Sequence, residues 1–543
     1  MKKLLALLMA VLMVLSASAA LGESLLPLKE PVKITMAITQ NANVSDYENN
    51  YFTKWLEEKT GIDLELILYP SADAATKLNM AVASGDKLPD IISFGVDANT
   101  AYEWGSEGVL LPWNEWFKTK GQGFYDFCAS IGLDGDRDVL SQITSIDGNI
   151  YAAPFFSYSY NNLVAPARVW INQTWLDKLN LKAPTTYEEL ITVLTAFRDQ
   201  DPNGNGMADE IPMLGDNALS WLQNMWIYRN NNDKTPYLPL SETDGVLDVY
   251  YDKDAYRDYL IYANKLVADG LLSPLSFTMD TNQFNALVQA ETSQIGIIAN
   301  SSAPTQFTKV ADKYAAVEQP VGPNGARYTS LQPGTAYPRM AVTCDCENPD
   351  IAMDLVMFQF TEAGSDLAMV QRYGEKGVNW RLYDPAVDTN LVGALPGMDP
   401  YVVQLEQAWG TMTDKLWQVQ IFGYVSDPAW WVAGIDPNDP NPTANYYFGK
   451  GYELNRKYGP DFADLVTVNS FAYTDEEQET WVDARTALIS YVNEARTLFA
   501  MGEMNPADDA AWNSYLNELN NLKYKDIIAV DNAAYARKVE MMK

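Results

Sequence analysis

Residues 201 to 210 read Asp201-Pro202-Asn203-Gly204-Asn205-Gly206-Met207-Ala208-Asp209-Glu210. Side-chain oxygens stand at relative positions 1, 3 and 5, a glycine at 6, a free carbonyl at 7 and a carboxylate at 9. A hard, oxygen-seeking Ca²⁺ ion takes this set of donors from one short, sharply turned loop. The expected ligands are Asp201, Asn203, Asn205, Met207 through its carbonyl, Asp209 and Glu210. The position 12 glutamate of an EF-hand is Pro212 here, so Glu210 has to supply that ligand from another angle. A polar Asn-Gly turn after a helix is the competing reading. Bound here, the ion is structural, because nothing nearby pairs an open coordination position with a base.

The aromatic residues point to a second kind of chemistry. Fifteen Trp and 32 Tyr exceed what a core of this size requires, and several fall in loop-like contexts. Flat aromatic faces bind pyranoses by packing against their axial C–H bonds, while Asp, Asn, Arg and backbone groups bond the hydroxyls. Trp221 and Trp226 follow the calcium-like loop, Trp380 ends Gly374-Glu375-Lys376-Gly377-Val378-Asn379-Trp380, and Trp430-Trp431 follow Asp427-Pro428. These are the candidate stacking platforms. Trp55, Trp175 and Trp512 lie on apolar helix faces and are assigned to the core.

Composition removes other chemistries. The chain has no histidine, which excludes Ser-His-Asp and Cys-His nucleophile pairs, histidine-ligated zinc and an imidazole proton shuttle. Its net charge of −33 argues against nucleic acid and anionic membranes as partners. Cys128, Cys344 and Cys346 are odd in number and too few for a disulfide framework. Carboxylate-based glycoside hydrolysis is the one hydrolytic chemistry that such a chain runs readily, and a secreted glycoside hydrolase is the alternative to a binding protein.

The elements that position these groups follow from periodicity. Met1-Lys2-Lys3, the apolar run Leu4–Leu15 and Ala17-Ser18-Ala19 read as a signal peptide over residues 1–22. Val32–Ile38 and Ile62–Leu68 alternate as strands, Tyr51–Thr60 and Ala74–Ala83 are spaced as helices ended by Gly61 and Gly85, and Leu88–Phe94 is a third, short strand. This β-α-β-α-β order predicts a mainly parallel sheet whose ligands gather beyond the carboxyl ends of the strands, next to Asn41 and Asp97. The pattern restarts at Val169–Asn172, Thr185–Glu189 carries capping-box spacing, and the last third is mostly helical.

A series of segments resembles one family. In order these are Glu57–Ile62, Leu78–Gly85 running into Leu88–Ile92, Ile171-Asn172 with Trp175–Leu179, Asp201–Pro212, Leu266–Leu272, Gly374–Trp380, and Trp512, Tyr515 and Leu519. Together they resemble the solute-binding proteins of bacterial ABC carbohydrate importers, in the group with LplA-like and alginate-oligosaccharide-binding members. The resemblance implies an α/β, two-lobed periplasmic-binding-protein fold of type II, with a cleft between lobes, a hinge and a helix-rich C-terminal part. The expected lobes are 23–154 with 296–343, and 155–295 with 344–543.

By that resemblance the protein binds an oligosaccharide without turning it over, closes on it and docks as a monomer to permease subunits. Calcium-holding members carry a loop similar to Asp201–Glu210. The substrate-binding candidates are then Trp380, Trp226, Trp221, Trp430, Trp431, Asn41 and Asp97, with Arg168, Arg339 and Arg381 available to an acidic sugar. No cysteine stands at Leu21-Gly22-Glu23, so an extracytoplasmic protein without a lipid anchor is expected. A surface sugar sensor that delivers no cargo is a third reading.

Overall fold

The computed structural model describes residues 24–130, 133–156, 168–229, 236–288, 294–300, 311–330, 336–361, 363–393, 400–406, 408–409, 411–422, 434–435, 444–459 and 471–541. The expected leader and Trp430 and Trp431 lie outside the described residues.

Alternating apolar residues place β1 (Val32–Gln40) and β2 (Ile62–Pro70) side by side in parallel, Val32 opposite Ile62 and Gln40 opposite Pro70. Helix α1 (Tyr51–Thr60) crosses between them and buries Phe52, Trp55 and Leu56. The Asn50 side chain caps its start by accepting the Phe52 N–H, and Gly61 ends it at φ 71°. Gly61 is required twice over, because a Cβ there would lie 2.6 Å from the Leu28 carbonyl oxygen. Helix α2 (Ala74–Ser84) leads to β3 (Ile91–Ile92), parallel to β1, and α3 (Ala98–Ser106) follows. Strand β4 (Ala153–Phe156) ends this first run.

The second run holds β5 (Val169–Asn172), α4 (Gln173–Leu179), α5 (Tyr187–Asp199), β6 (Ile211–Leu214), α6 (Ala218–Gln223), α7 (Asp254–Ala268), β7 (Ile295–Ala299) and β8 (Tyr314–Ala316). Thr186 caps α5 through the Glu189 N–H, and Leu190, Val193, Leu194 and Phe197 form its buried stripe. The chain then returns to the first sheet as β9 (Ala336–Val342), and three helices close it: α8 (Asp475–Met501), α9 (Asp509–Asn521) and α10 (Tyr524–Met541). Thr474 and Glu477 form a full capping box at the start of α8.

Two compact units result. Unit 1 takes the described residues of Met1–Phe156, Ala336–Trp380 and Leu405–Val425. Its sheet order is β2-β1-β3-β9-β4, with β9 antiparallel to both neighbours. Unit 2 takes those of Ser157–Thr335, Arg381–Gln404 and Ser426–Lys543, around a sheet of order β6-β7-β5-β8.

Two expectations are corrected. The expected return to the first lobe at 296 falls instead at Ala336, because β7 pairs with β5 and β6, and β8 pairs with β5, in the second sheet. Residues 344–380 and most of 405–425 likewise go with unit 1, not with the second lobe. The sheets are also less parallel than predicted, since β5 runs antiparallel to both β7 and β8. The aromatic-rich core of unit 2 is built from α5, α6, α7 and the C-terminal helices, and includes Trp175, Trp221 and Trp512.

Candidate functional site

In unit 1 the strand directions gather one edge. β3 runs parallel to β1, while β9 pairs antiparallel with β3 and β4. The carboxyl ends of β1, β3 and β4 therefore share an edge with the amino end of β9, where ligands of α/β sheets are met. Along β9 the pleat alternates: Ala336, Pro338 and Met340 are buried, while Tyr337 and Arg339 point to the other face. Tyr337 is 41% exposed, and its ring lies 5.1 Å from Phe155 on β4 at an interplanar angle of 32°.

Arg339 stands beside this aromatic pair, its Cζ 5.7 Å from the Phe155 centroid. Its Nη2 donates to the Gln420 carbonyl at 3.4 Å, while its Nε, like Nε2 of Gln420, is buried without a hydrogen-bond partner. Such donors are costly to leave unmade, by about 1–3 kcal/mol each. The segment carrying Gln420 is pinned by Trp417, which is fully buried and donates its Nε1–H to Thr53 Oγ1 at 2.8 Å. Gln418 adopts φ 58° and accepts the Asn41 Nδ2–H through its carbonyl at 3.4 Å.

The two edge residues expected from sequence have local bonds of their own. Asn41 accepts the Asn43 N–H at 2.9 Å, and its own N–H donates to the Tyr47 hydroxyl at 2.7 Å. Asp97 caps α3 by accepting the Asn99 and Thr100 N–H groups at 3.1 and 2.9 Å. Asn41 shares with Arg339 the neighbouring carbonyls of residues 418 and 420; no bond joins Asp97 to that group among the described residues.

The tryptophans divide. Trp380 is fully buried and donates its Nε1–H to the Gly374 carbonyl at 2.9 Å, closing the Gly374–Trp380 loop. Trp221 is 2% exposed within the unit 2 core. Both expected platforms are interior residues here, because a large apolar ring gains most by full burial once its N–H has a partner. Trp226 is half-buried in a wall with Tyr262 and Tyr187, at 4.6 and 5.7 Å between centroids. Of the cationic candidates beyond Arg339, Arg168 is held below its usual pKa by burial, and Arg381 is tied to Asp388 at 2.5 and 2.6 Å.

In unit 2 the calcium-like loop links α5 to β6. Asp201 sits at φ 45°, and its carboxylate accepts the N–H groups of Gly204, Asn205 and Gly206 at 2.8, 3.1 and 3.1 Å. Gly206 adopts φ 74°, the turn for which the sequence reserved a glycine. Asp209 accepts amide N–H groups from Asn203 at 2.9 Å, Asn205 at 3.0 Å and Gln294 at 2.6 Å, and these bonds hold its carboxyl below the usual range. Glu210 is shifted the other way, raised by burial and by the charges of Asp201 and Asp209.

One oxygen tests the fit of a cation. Glu210 Oε1 is buried with no hydrogen-bond partner, an acceptor that a cation would satisfy. The Met207 side chain is 58% exposed, which leaves its carbonyl as the donor that residue can offer. Among the described residues, no three or more His, Cys, Asp or Glu side chains form a metal-holding group by themselves. The loop therefore depends on amide and carbonyl oxygens as well, a donor set that suits calcium and not a softer metal.

Two α/β units, with polar and aromatic groups at a strand-end edge, define the class of two-lobed substrate-binding proteins. The chain belongs to the family described as bacterial extracellular solute-binding protein, whose profile matches residues 41–365. These are binding proteins, not enzymes. Over 535 residues the chain is 23% identical to the fructooligosaccharide ABC transporter substrate-binding protein FusA of Streptococcus pneumoniae serotype 4, covering 94% of this chain and 91% of that one. The structure of FusA with kestose superposes at a TM-score of 0.72 and 20% identity, covering 93% of this chain and 99% of that one. That of a FusA EF-hand mutant with fructo-nystose gives 0.71 and 21%, with the same coverage.

Tyr337 and Gln420 were not singled out from sequence. The alternation in Ala336–Met340 was the available signal for Tyr337; nothing near Gln420 distinguishes it, because its place depends on a chain return from far away.

Proposed function

We propose that this protein captures an oligosaccharide outside the cytoplasm and delivers it to the permease of an ABC importer. The observation that carries the reading is the unit 1 edge, where an exposed Tyr337 ring adjoins two buried, unpartnered donors, Arg339 Nε and Gln420 Nε2. A sugar ring stacks on Tyr337, and its oxygens accept from Arg339 and Gln420, with Asn41 beside them. Trp226 is the stacking candidate of unit 2. The likeness to FusA over nearly the whole length supports an oligosaccharide as cargo and a permease as partner. The family's extracellular description supports export by the leader-like residues 1–22.

The loop from Asp201 to Glu210 holds a structural Ca²⁺ in this reading. Its support is the orphaned Glu210 Oε1, the turn geometry at Asp201 and Gly206, and an EF-hand in FusA. The ion would neutralise the carboxylates of Asp201, Asp209 and Glu210 and tie the end of α5 to the start of β6.

Calorimetric titration of the secreted chain with neutral fructo-oligosaccharides and with uronic oligosaccharides tests the main reading. Saturable binding of one class, weakened by Tyr337→Ala and Arg339→Gln, is the expected result. No heat with any glycan, or binding that both variants leave intact, overturns it. A preference for uronic sugars that Arg339→Gln abolishes assigns Arg339 to a carboxylate.

A further inference from the structure

The calcium-like loop is tied to the rest of unit 2 at both ends, and the two ties differ. At its start, Lys178 of α4 donates from Nζ to the Asp201 and Pro202 carbonyls at 3.1 and 3.0 Å. That tie holds backbone and touches no ligand side chain. At its end, Gln294 donates from Nε2 to Asp209 Oδ2 at 2.6 Å, across 85 residues of sequence. An ionised carboxylate only accepts, so the amide presents its nitrogen there. Asp209 Oδ1 accepts from Asn203 and Asn205, which belong to the loop and are themselves expected ligands. Among the described residues, Gln294 is the one partner of this carboxylate from outside the loop.

Gln294 is held where β6 and β7 begin. Its carbonyl accepts the Ile211 N–H at 2.8 Å, and the two strands then run parallel with Ile211 opposite Ile295. Close packing fixes that start, because a Cβ on Gly296 would lie 2.8 Å from the Pro212 carbonyl oxygen and overlap the Phe197 ring of α5. The backbone of Gln294 is therefore set by the sheet and not by the loop. A side chain that bonds a metal ligand from a rigid element orients that ligand before the ion arrives, so less ordering is left for binding. We infer that Gln294 is a positioning residue for Ca²⁺, which fixes the Asp209 carboxylate without itself touching the ion. Calcium affinity then depends on the register of β6 and β7 as well as on the ten residues of the loop. The inference rests on the calcium reading above and extends it to a distant strand.

Calorimetric titration of Ca²⁺ into the calcium-stripped protein and into its Gln294→Met variant tests the role. Methionine keeps the length of the side chain and removes the donor. Calcium Kd is expected to rise about 10-fold or more, while the unfolding midpoint in EDTA moves little. A merely structural bond would do the reverse, lowering the EDTA midpoint and leaving Kd as it is, and that result overturns the inference. Lys178→Met removes the other tie together with a positive charge and should not weaken calcium binding. A weakening equal to that of Gln294→Met would show that any tie to the loop suffices, and overturns the role given to Asp209. Uptake by the unmutated protein with an equal Kd in Gln294→Met sinks the inference alone; no uptake by the unmutated protein sinks the calcium reading and the inference with it. A crystal structure of the unmutated protein with Ca²⁺ is a readout independent of the variant's folding. Gln294 Nε2 bonded to an Asp209 carboxylate that touches the ion supports the role; a Gln294 turned away from Asp209, or with Oε1 on the ion, refutes it.

Discussion

The unit 1 edge and the unit 2 loop are both polar, yet they treat their hydrogen bonds in opposite ways. At the edge, Arg339 and Gln420 keep buried donors without partners beside an exposed ring. In the loop, Asp201 and Asp209 are engaged by backbone and amide N–H groups, and Glu210 Oε1 alone is orphaned. Unmet donors suit a ligand that comes and goes, while a nearly closed shell of oxygens suits one resident ion. In the function proposed above, the edge serves a ligand that exchanges and the loop an ion that stays.

The largest effect should come from removing the ion. With calcium at one thousand times its dissociation constant, its loss costs about 4 kcal/mol. EDTA is expected to lower the unfolding midpoint, Ca²⁺ to restore it, and glycan affinity of the still-folded protein to stay unchanged. A midpoint indifferent to EDTA returns the loop to a plain turn, and the contrast with the edge disappears.

Next in size is Tyr337→Ala. Loss of a central aromatic contact costs about 2 kcal/mol of binding, or about 30-fold in Kd, read by calorimetry. Because Tyr337 is 41% exposed, the midpoint without ligand should move little. A large loss of stability with unchanged affinity would make the ring a packing residue.

Trp380→Phe separates the two roles in the reverse sense. Removing the bond to the Gly374 carbonyl should cost about 1 kcal/mol of stability and leave the glycan Kd alone. Weaker binding at unchanged stability would put Trp380 back among the platforms.

The smallest effect concerns pH. Calcium needs Glu210 ionised, and its pKa is raised, so affinity should begin to fall, as pH is lowered, above the usual glutamate range. Asp209 is shifted down and stays ionised through that window. In the metal-free protein the sign for stability divides. The contribution of Asp209 is present above its unfolded pKa and is lost as pH falls through its lower folded value. The raised pKa of Glu210 makes its ionised form unfavourable near neutral pH, a cost that calcium removes. Calcium titrations at falling pH check this; an affinity that declines only at the ordinary glutamate pKa would show Glu210 is not a ligand.

Local pattern was legible where local physics decides. The α1 helix begins at Tyr51 and ends at Gly61, as its apolar spacing and terminal glycine require, and Thr186 caps α5 where the capping-box spacing placed it. The loop from Asp201 to Glu210 is contiguous, so its turn and its donors could be read together. The assignment of Trp55, Trp175 and Trp512 to the core also holds, since all three are buried on helix faces. The two tryptophans assigned to stacking on loop context, Trp221 and Trp380, did not follow that logic. A ring's exposure depends on what packs over it, and loop composition does not report that.

By itself the sequence determined the alternation of strands and helices, the caps, the glycine turns, the exclusion of histidine chemistry and the family. All of these rest on neighbours within a few residues or on ordered segments along one chain. Only the tertiary structure decided that β7 and β8 complete the second sheet and that β9 inserts antiparallel into the first. It also brought Gln420 to Arg339. Strand pairing and side-chain burial depend on partners tens to hundreds of residues away, and no local spacing specifies which of several compatible partners is met.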